Sequence, residues 1–156
     1  MPTLTEIQQK LKNYCIYQER SHYEVIQKLY SLGIRKTDVE LVTAWLIENN
    51  HLNEERFAIS FARGKFKLKK WGRIKIKHEL LLKKVSIRNI STALGGIDEA
   101  VYQHTMETLA NKKWNSLKAD KIAIKKMKTL RYMMQKGYES NLVRSVINKL
   151  FTEYKA

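Results

Sequence analysis

Apolar residues recur along this chain at helical spacing. One pattern occurs three times, 51 and then 53 residues apart: an apolar helix, a break and a second apolar helix. When the breaks Gly33-Ile34, Lys84-Val85 and Gly137-Tyr138 are aligned, the residues four positions upstream are Leu29, Leu80 and Met133. Five positions beyond the second break residue stand Val39, Ile90 and Val143, and eight beyond it Val42, Ala93 and Val146. Self-similarity at a near-constant period marks supersecondary units that bury their faces partly against neighbours. It also directs the search for function to an extended surface rather than to one pocket.

Local signals divide each unit into helices. Thr5 is the expected cap of a helix to about Gln18, with Ile7, Leu11, Tyr14 and Cys15 on its apolar stripe. Ser21, with Glu24 in the capping-box position, opens a second helix closed by Gly33, and Thr37 or Asp38 opens a third that stops at Asn49-Asn50. Asn53 caps a helix with Glu54 and Glu55 in its first turn, where carboxylates favour the helix dipole, and with Phe57, Phe61 and Phe66 on its buried side. Gly72 starts the next, to Lys84, and Ser86 caps a short one to Gly95-Gly96. Asp98 caps a long helix through Val101, Tyr102, Met106, Leu109 and Trp114. The last two run from about Ala119 to Lys136 and from Glu139 or Ser140 to about Tyr154. The expected fold is all-α: three tandem three-helix repeats, at residues 1–52, 53–97 and 98–156, in an elongated array.

Composition agrees and narrows the chemistry. The chain has 156 residues, one proline, at position 2, and six glycines, which leaves little to interrupt helices. Its single cysteine, Cys15, excludes an intramolecular disulfide and lies on an apolar stripe, as a buried inert thiol would. No Cys/His spacing suits zinc, so no metal and no cofactor is expected. No signal-peptide pattern and no membrane-length apolar run is present, so the expectation is a cytoplasmic protein without a membrane partner. Phosphate-loop, nucleophile-elbow and metallohydrolase motifs are missing, which argues against an enzyme.

Charge is distributed unevenly. Residues 1–62 hold seven Lys/Arg against eight Asp/Glu, whereas residues 63–156 hold 23 against seven, so the later part carries the whole net charge of +15. From Arg63 to Arg88 there are eleven basic residues and one acid, Glu79; from Lys112 to Lys136 there are nine and one, Asp120. A merely solvated helix face would mix signs at i and i+4. Clustered cations without those partners are suited to a phosphate backbone, where binding gains from counterion release and needs no base contact. The candidate surface is Arg63, Lys65, Lys67, Lys69, Lys70, Arg73, Lys75, Lys77 and Lys83, extended by Lys112, Lys113 and Lys126. Among the interleaved aromatics, Phe66 and Trp114 suit a core, and Trp71 is the candidate for stacking on single-stranded bases. Reversal of Arg73 and Lys75 to Glu is expected to weaken binding and spare the fold.

Two stretches carry a family resemblance. The run from Arg20 through Ser21-His22-Tyr23-Glu24-Val25 to Lys28-Leu29 resembles the first block of the RecX proteins, modulators of the RecA recombinase. Asn53-Glu54-Glu55-Arg56-Phe57-Ala58 to Arg63, then Gly72, Lys75-Ile76, Glu79-Leu80, Lys83 and Val85, is similar to the family's acidic-Arg-Phe-Ala run and its Gly-x-x-Arg-Ile-x-x-Glu-Leu stretch. Lys84 stands where the family often has Gly, which predicts a helix end without a left-handed cap. Lys75 replaces the more usual Arg, exchanging a planar fork for a point charge. The resemblance implies a curved three-unit protein that binds the RecA filament on single-stranded DNA; a monomer is expected. It would lie along the groove or at the ends and hinder filament growth, ATP hydrolysis and strand exchange. The near-neutral charge of the first unit assigns protein contact to Arg20, His22 and Lys28, and single- or double-stranded DNA would be met through phosphates by the later units. The alternative reading is a stand-alone, sequence-nonspecific DNA- or RNA-binding module.

Overall fold

The computed structural model describes residues 2–155, and among these every regular element is a helix. The order is α1 (Leu4–Tyr17), α2 (His22–Ser31), α3 (Lys36–Glu48), α4 (Glu54–Lys69), α5 (Arg73–Leu82), α6 (Ile87–Gly95), α7 (Glu99–Ser116), α8 (Ile122–Gln135) and α9 (Ser140–Lys155). The fold is an all-α array of three-helix repeats. No helix of the described residues is long and apolar enough to cross a membrane.

Most helix starts are those the local chemistry dictates. Ser21 accepts from the Glu24 amide at 3.0 Å while Glu24 accepts from the Ser21 amide at 3.1 Å, closing a capping box. Asn53, Ser86 and Asp98 accept from the amides of Arg56, Asn89 and Val101. Three starts differ from expectation. α1 is capped by Thr3 rather than Thr5, because Glu6, at the third helical position from Thr3, can return the hydrogen bond. α3 begins after Arg35, with no side-chain cap, and places Asp38 inside its first turn. α8 begins after Lys121, also without a side-chain cap. Val101 is 52% exposed; the buried stripe of α7 is Tyr102, Met106, Ala110 and Trp114.

The three breaks share one geometry. Gly33, Lys84 and Gly137 all have positive φ, at 76°, 63° and 98°. The amide of each bonds the carbonyl three residues back, at 2.9, 3.0 and 3.0 Å, and the next amide bonds the carbonyl five residues back, at 3.2, 3.1 and 3.2 Å. This pair of bonds satisfies the last carbonyls of the preceding helix and is the Schellman closure. Leu29, Leu80 and Met133, which supply the outer carbonyls, are fully buried, so the closure is tied to the core. The expectation that Lys84 would cost its helix the left-handed cap is thus corrected: the bonds form, and the lysine takes the strained backbone conformation. Lys84→Gly is expected to raise stability by about 1 kcal/mol, the strain an L-residue bears there. Urea unfolding would show a higher midpoint at unchanged slope, and a lower midpoint would contradict the cap.

The chain divides into two compact units, residues 1–61 with 79–93 and residues 62–78 with 94–156, and the division falls inside α4, α5 and α6. The first unit packs Ile7, Leu11 and Cys15 of α1 against Val25 and Leu29 of α2 and Val39, Val42 and Leu46 of α3. Burial pushes the Cys15 thiol up to about 11, so it stays protonated and unreactive at neutral pH. The second unit is built on Tyr102, Met106, Ala110 and Trp114 with Met133, Tyr138, Val143, Val146 and Ile147, and Phe66 packs against them. Both aromatics assigned to the core from sequence are therefore there.

Candidate nucleic-acid interface

The net charge belongs almost wholly to the second unit, which holds twenty Lys/Arg against six Asp/Glu, a net of +14; the first unit holds ten against nine. No acid stands between Arg63 and His78. Along the second half of α4 and the start of α5, Arg63, Lys67, Lys69, Lys70 and Lys77 are exposed, as is Lys112 on α7. Among the described residues none of these six forms an ion pair.

Backbone contacts fix this surface from below. Lys70 has φ 59° and turns the chain out of α4 into Trp71 and Gly72. The Gly72 amide bonds the Lys136 carbonyl at 2.8 Å and the Ile74 amide bonds the Gly137 carbonyl at 2.9 Å, which docks the first turn of α5 on the α8–α9 break. A Cβ on Gly72 would lie 2.3 Å from the Gly137 oxygen, so only glycine permits this approach. The Tyr138 hydroxyl donates to the Lys70 carbonyl at 2.7 Å, and the Lys136 ammonium to the Lys69 carbonyl at 3.3 Å.

Two aromatic rings in this region each carry two ammonium groups. Lys65 and Lys75 lie 5.1 and 4.6 Å from the centroid of the half-buried Trp71 ring. Lys113 and Lys136 lie 5.0 and 5.9 Å from that of Tyr132. Lys113 thus shares a ring with Lys136, which in turn bonds the end of α4. Lys126 points elsewhere, with its ammonium 3.8 Å from the Phe151 ring.

Arg73 has a different place from the one its sequence position suggests. Its guanidinium bonds Glu99 at 2.5 Å and Glu139 at 2.8 Å, and lies 3.8 Å from the centroid of the Tyr102 ring. The Tyr102 hydroxyl donates to Glu139 and accepts from the Arg73 amide at 3.0 Å. Burial alone would lower the Arg73 pKa, but the bond to Glu99 and the charge of Glu139 outweigh it and raise it. Tyr102 is pushed well above the usual phenol range, by burial first and then by the carboxylate that takes its hydrogen bond; burial likewise raises Tyr138. Arg73 is thus tied to two carboxylates and a ring within the second unit, so its reversal is expected to destabilise that unit rather than to spare the fold. The partners Glu99 and Glu139, and the pairing of Gly72 with Gly137, have no local signal in the sequence.

The remaining candidates lie in the first unit. Arg20 donates to the Tyr14 carbonyl at 3.0 Å and stacks 3.7 Å from the centroid of that ring, which Lys28 approaches to 5.6 Å. His22 is 4.0 Å from Glu54, and Lys83 is 3.9 Å from Glu24 and 5.9 Å from the Phe61 ring.

Comparison with known proteins bears on this architecture. A family model described as the second three-helix domain of RecX matches residues 53–94, and another, described as its third three-helix domain, matches residues 101–147. The chain belongs to the RecX family. "Regulatory protein RecX" of Clostridium perfringens (strain SM101 / Type A) is 31% identical over 134 residues, covering 84% of this chain and 62% of that protein. The RecX regulatory protein of Clostridium tetani is 32% identical over 134 residues, with 84% and 61% covered. The chain thus spans a little over three fifths of the length of these curated relatives. The crystal structure of RecX from Lactobacillus salivarius is similar with a TM-score of 0.86 at 25% identity, over 96% of this chain and 97% of that one. A second RecX crystal structure shares the fold, with a TM-score of 0.80 at 19% identity, over 93% of this chain and 73% of that one.

Proposed function

We propose that this protein regulates the RecA recombinase, without enzymatic chemistry of its own, by binding the filament that RecA forms on single-stranded DNA. Bound along the groove or at the ends, it hinders filament growth, ATP hydrolysis and strand exchange. The observation that carries the reading is the confinement of a net charge of +14 to one unit of a RecX-family chain. That field attracts polyanions at long range. Arg63, Lys67, Lys69, Lys70, Lys77 and Lys112 meet phosphates, together with the ring-held Lys65, Lys75 and Lys113. The first unit, close to neutral, supplies protein contacts, with Arg20 and Lys28 gathered on Tyr14 and His22 on the same helix as Lys28. Tyr and Arg concentrate binding energy at protein interfaces, which supports this division.

The test is titration of the protein into RecA filaments preformed on single-stranded DNA, following ATP hydrolysis in the presence of an equal concentration of naked DNA. Hydrolysis is expected to fall and to stay low despite the competitor. Full rescue by naked DNA, or no fall, would favour the stand-alone nucleic-acid-binding module, a reading the charge distribution also suits.

A further inference from the structure

Some cations in this molecule meet carboxylates and others meet aromatic rings. Arg73, Arg56 and Lys128 sit against carboxylates, at 2.5 to 3.0 Å. Lys65 and Lys75 gather on the ring of Trp71. The electrical result differs. A carboxylate cancels the charge it holds, whereas the ring's quadrupole attracts an ammonium and leaves its monopole intact. Two ammonium groups within about 6 Å of one ring centroid also repel each other, and an anion that meets both relieves that repulsion.

The ring itself is fixed. Trp71 lies between Lys70, whose carbonyl accepts from Tyr138, and Gly72, whose amide donates to Lys136. The Lys75 backbone lies so close to Gly137 that a Cβ on that glycine would come within 2.4 Å of the Lys75 Cβ. A stacking base would have to displace an ammonium from a half-buried ring, while a phosphate would find both in place.

Deepening the proposed function, and resting on it, the geometry points to Trp71 as a positioning residue: its ring holds Lys65 and Lys75 as a paired site for the phosphodiester backbone and does not serve as a platform for bases. Trp71 then contributes to affinity only through the two lysines, and the chemical identity of the bases does not matter.

The experiment measures binding to an oligo-dT strand and to an abasic strand of equal length over a range of KCl, for the wild type, Trp71→Leu, Trp71→Phe and the Lys65→Ala/Lys75→Ala double variant. The wild type is expected to give one salt slope on both strands. Trp71→Leu should flatten the log–log slope by about 1.4, two phosphate contacts at about 0.7 each, as the double variant does, while Trp71→Phe keeps it. In the free wild type the Hε protons of Lys65 and Lys75 should show ring-current shifts in the NMR spectrum, lost in Trp71→Leu. Should Trp71→Leu fail to unfold cooperatively, the wild-type shifts and the two-strand comparison decide alone. Weaker dT binding at unchanged slope, with abasic binding unaffected, would assign Trp71 to base stacking and overturn the clamp; so would unshifted lysine protons or a Trp71→Leu variant that binds like the wild type. A wild type that binds neither strand would instead remove the nucleic-acid reading itself.

Discussion

Gly72→Ala is expected to lower the melting temperature by roughly 6 to 12 °C, which corresponds to about 3 kcal/mol at this chain length. The added methyl group would stand 2.3 Å from the Gly137 oxygen, 2.4 Å from its carbonyl carbon and 2.5 Å from the Tyr138 nitrogen, all backbone atoms. None can yield as the end of a flexible side chain could. Relief requires separating the first turn of α5 from the α8–α9 break, which breaks the bonds from Gly72 to Lys136 and from Ile74 to Gly137 and strains the bond from Tyr138 to Lys70. Amide groups that lose partners without regaining water carry a further penalty. Gly64→Ala is the control. Nothing lies within 4 Å of a Cβ there and the position is inside α4, so alanine should stabilise by about 0.5 to 1 kcal/mol. Thermal unfolding followed by circular dichroism compares the two; a Gly72→Ala midpoint within 2 °C of wild type would contradict the close approach.

Arg73→Glu is expected to cost about 1 to 3 kcal/mol, less than the loss of a fully buried pair because the Glu99 side chain is 76% exposed, and to weaken nucleic-acid binding only as a consequence of damaging the second unit. The substitution places a third carboxylate beside Glu99 and Glu139 and removes the cation from above Tyr102. Lys67→Glu with Lys77→Glu makes the opposite case. Both side chains are exposed and without an ion pair among the described residues, so the pair should leave the unfolding midpoint within about 0.5 kcal/mol of wild type for each change and still reduce filament binding. Urea midpoints and binding measured on the same preparations separate the two classes. If Arg73→Glu proved as stable as wild type, its ion pairs would be negligible and its charge available to a ligand after all.

These two expectations mark how far the sequence could be read. Properties set within one or two helical turns were legible: the caps at Ser21, Asn53, Ser86 and Asp98, the three breaks, and the buried positions four residues before and five and eight residues after them. Local misreadings arose where two neighbouring polar residues competed, as with Thr3 and Thr5, or where a helix began with no side-chain cap, as after Arg35 and Lys121. Lys84 shows tertiary packing imposing a backbone conformation that the residue type disfavours. The fate of individual charges was hidden for a different reason. Arg73 and Lys75 are two residues apart in one basic run, yet the first meets carboxylates 26 and 66 residues away and the second meets a ring. Net charge could be counted from the chain, but which cations remain to act on a ligand depends on contacts between distant segments.

The interleaving of the two units has a consequence at the level of the gene. The first unit has all its residues once residue 93 has been synthesised, whereas segment 62–78 must wait for residues 94–156. A premature stop codon between positions 94 and 136 therefore does more than shorten the protein: it deletes Lys136, Gly137 and Glu139, the partners of Gly72, Ile74 and Arg73. The ribosome would release a chain with its first unit whole and its most basic segment stranded, so the defect of such an allele would lie upstream of the missing sequence, in segment 62–78, which Lys136, Gly137 and Glu139 hold in place.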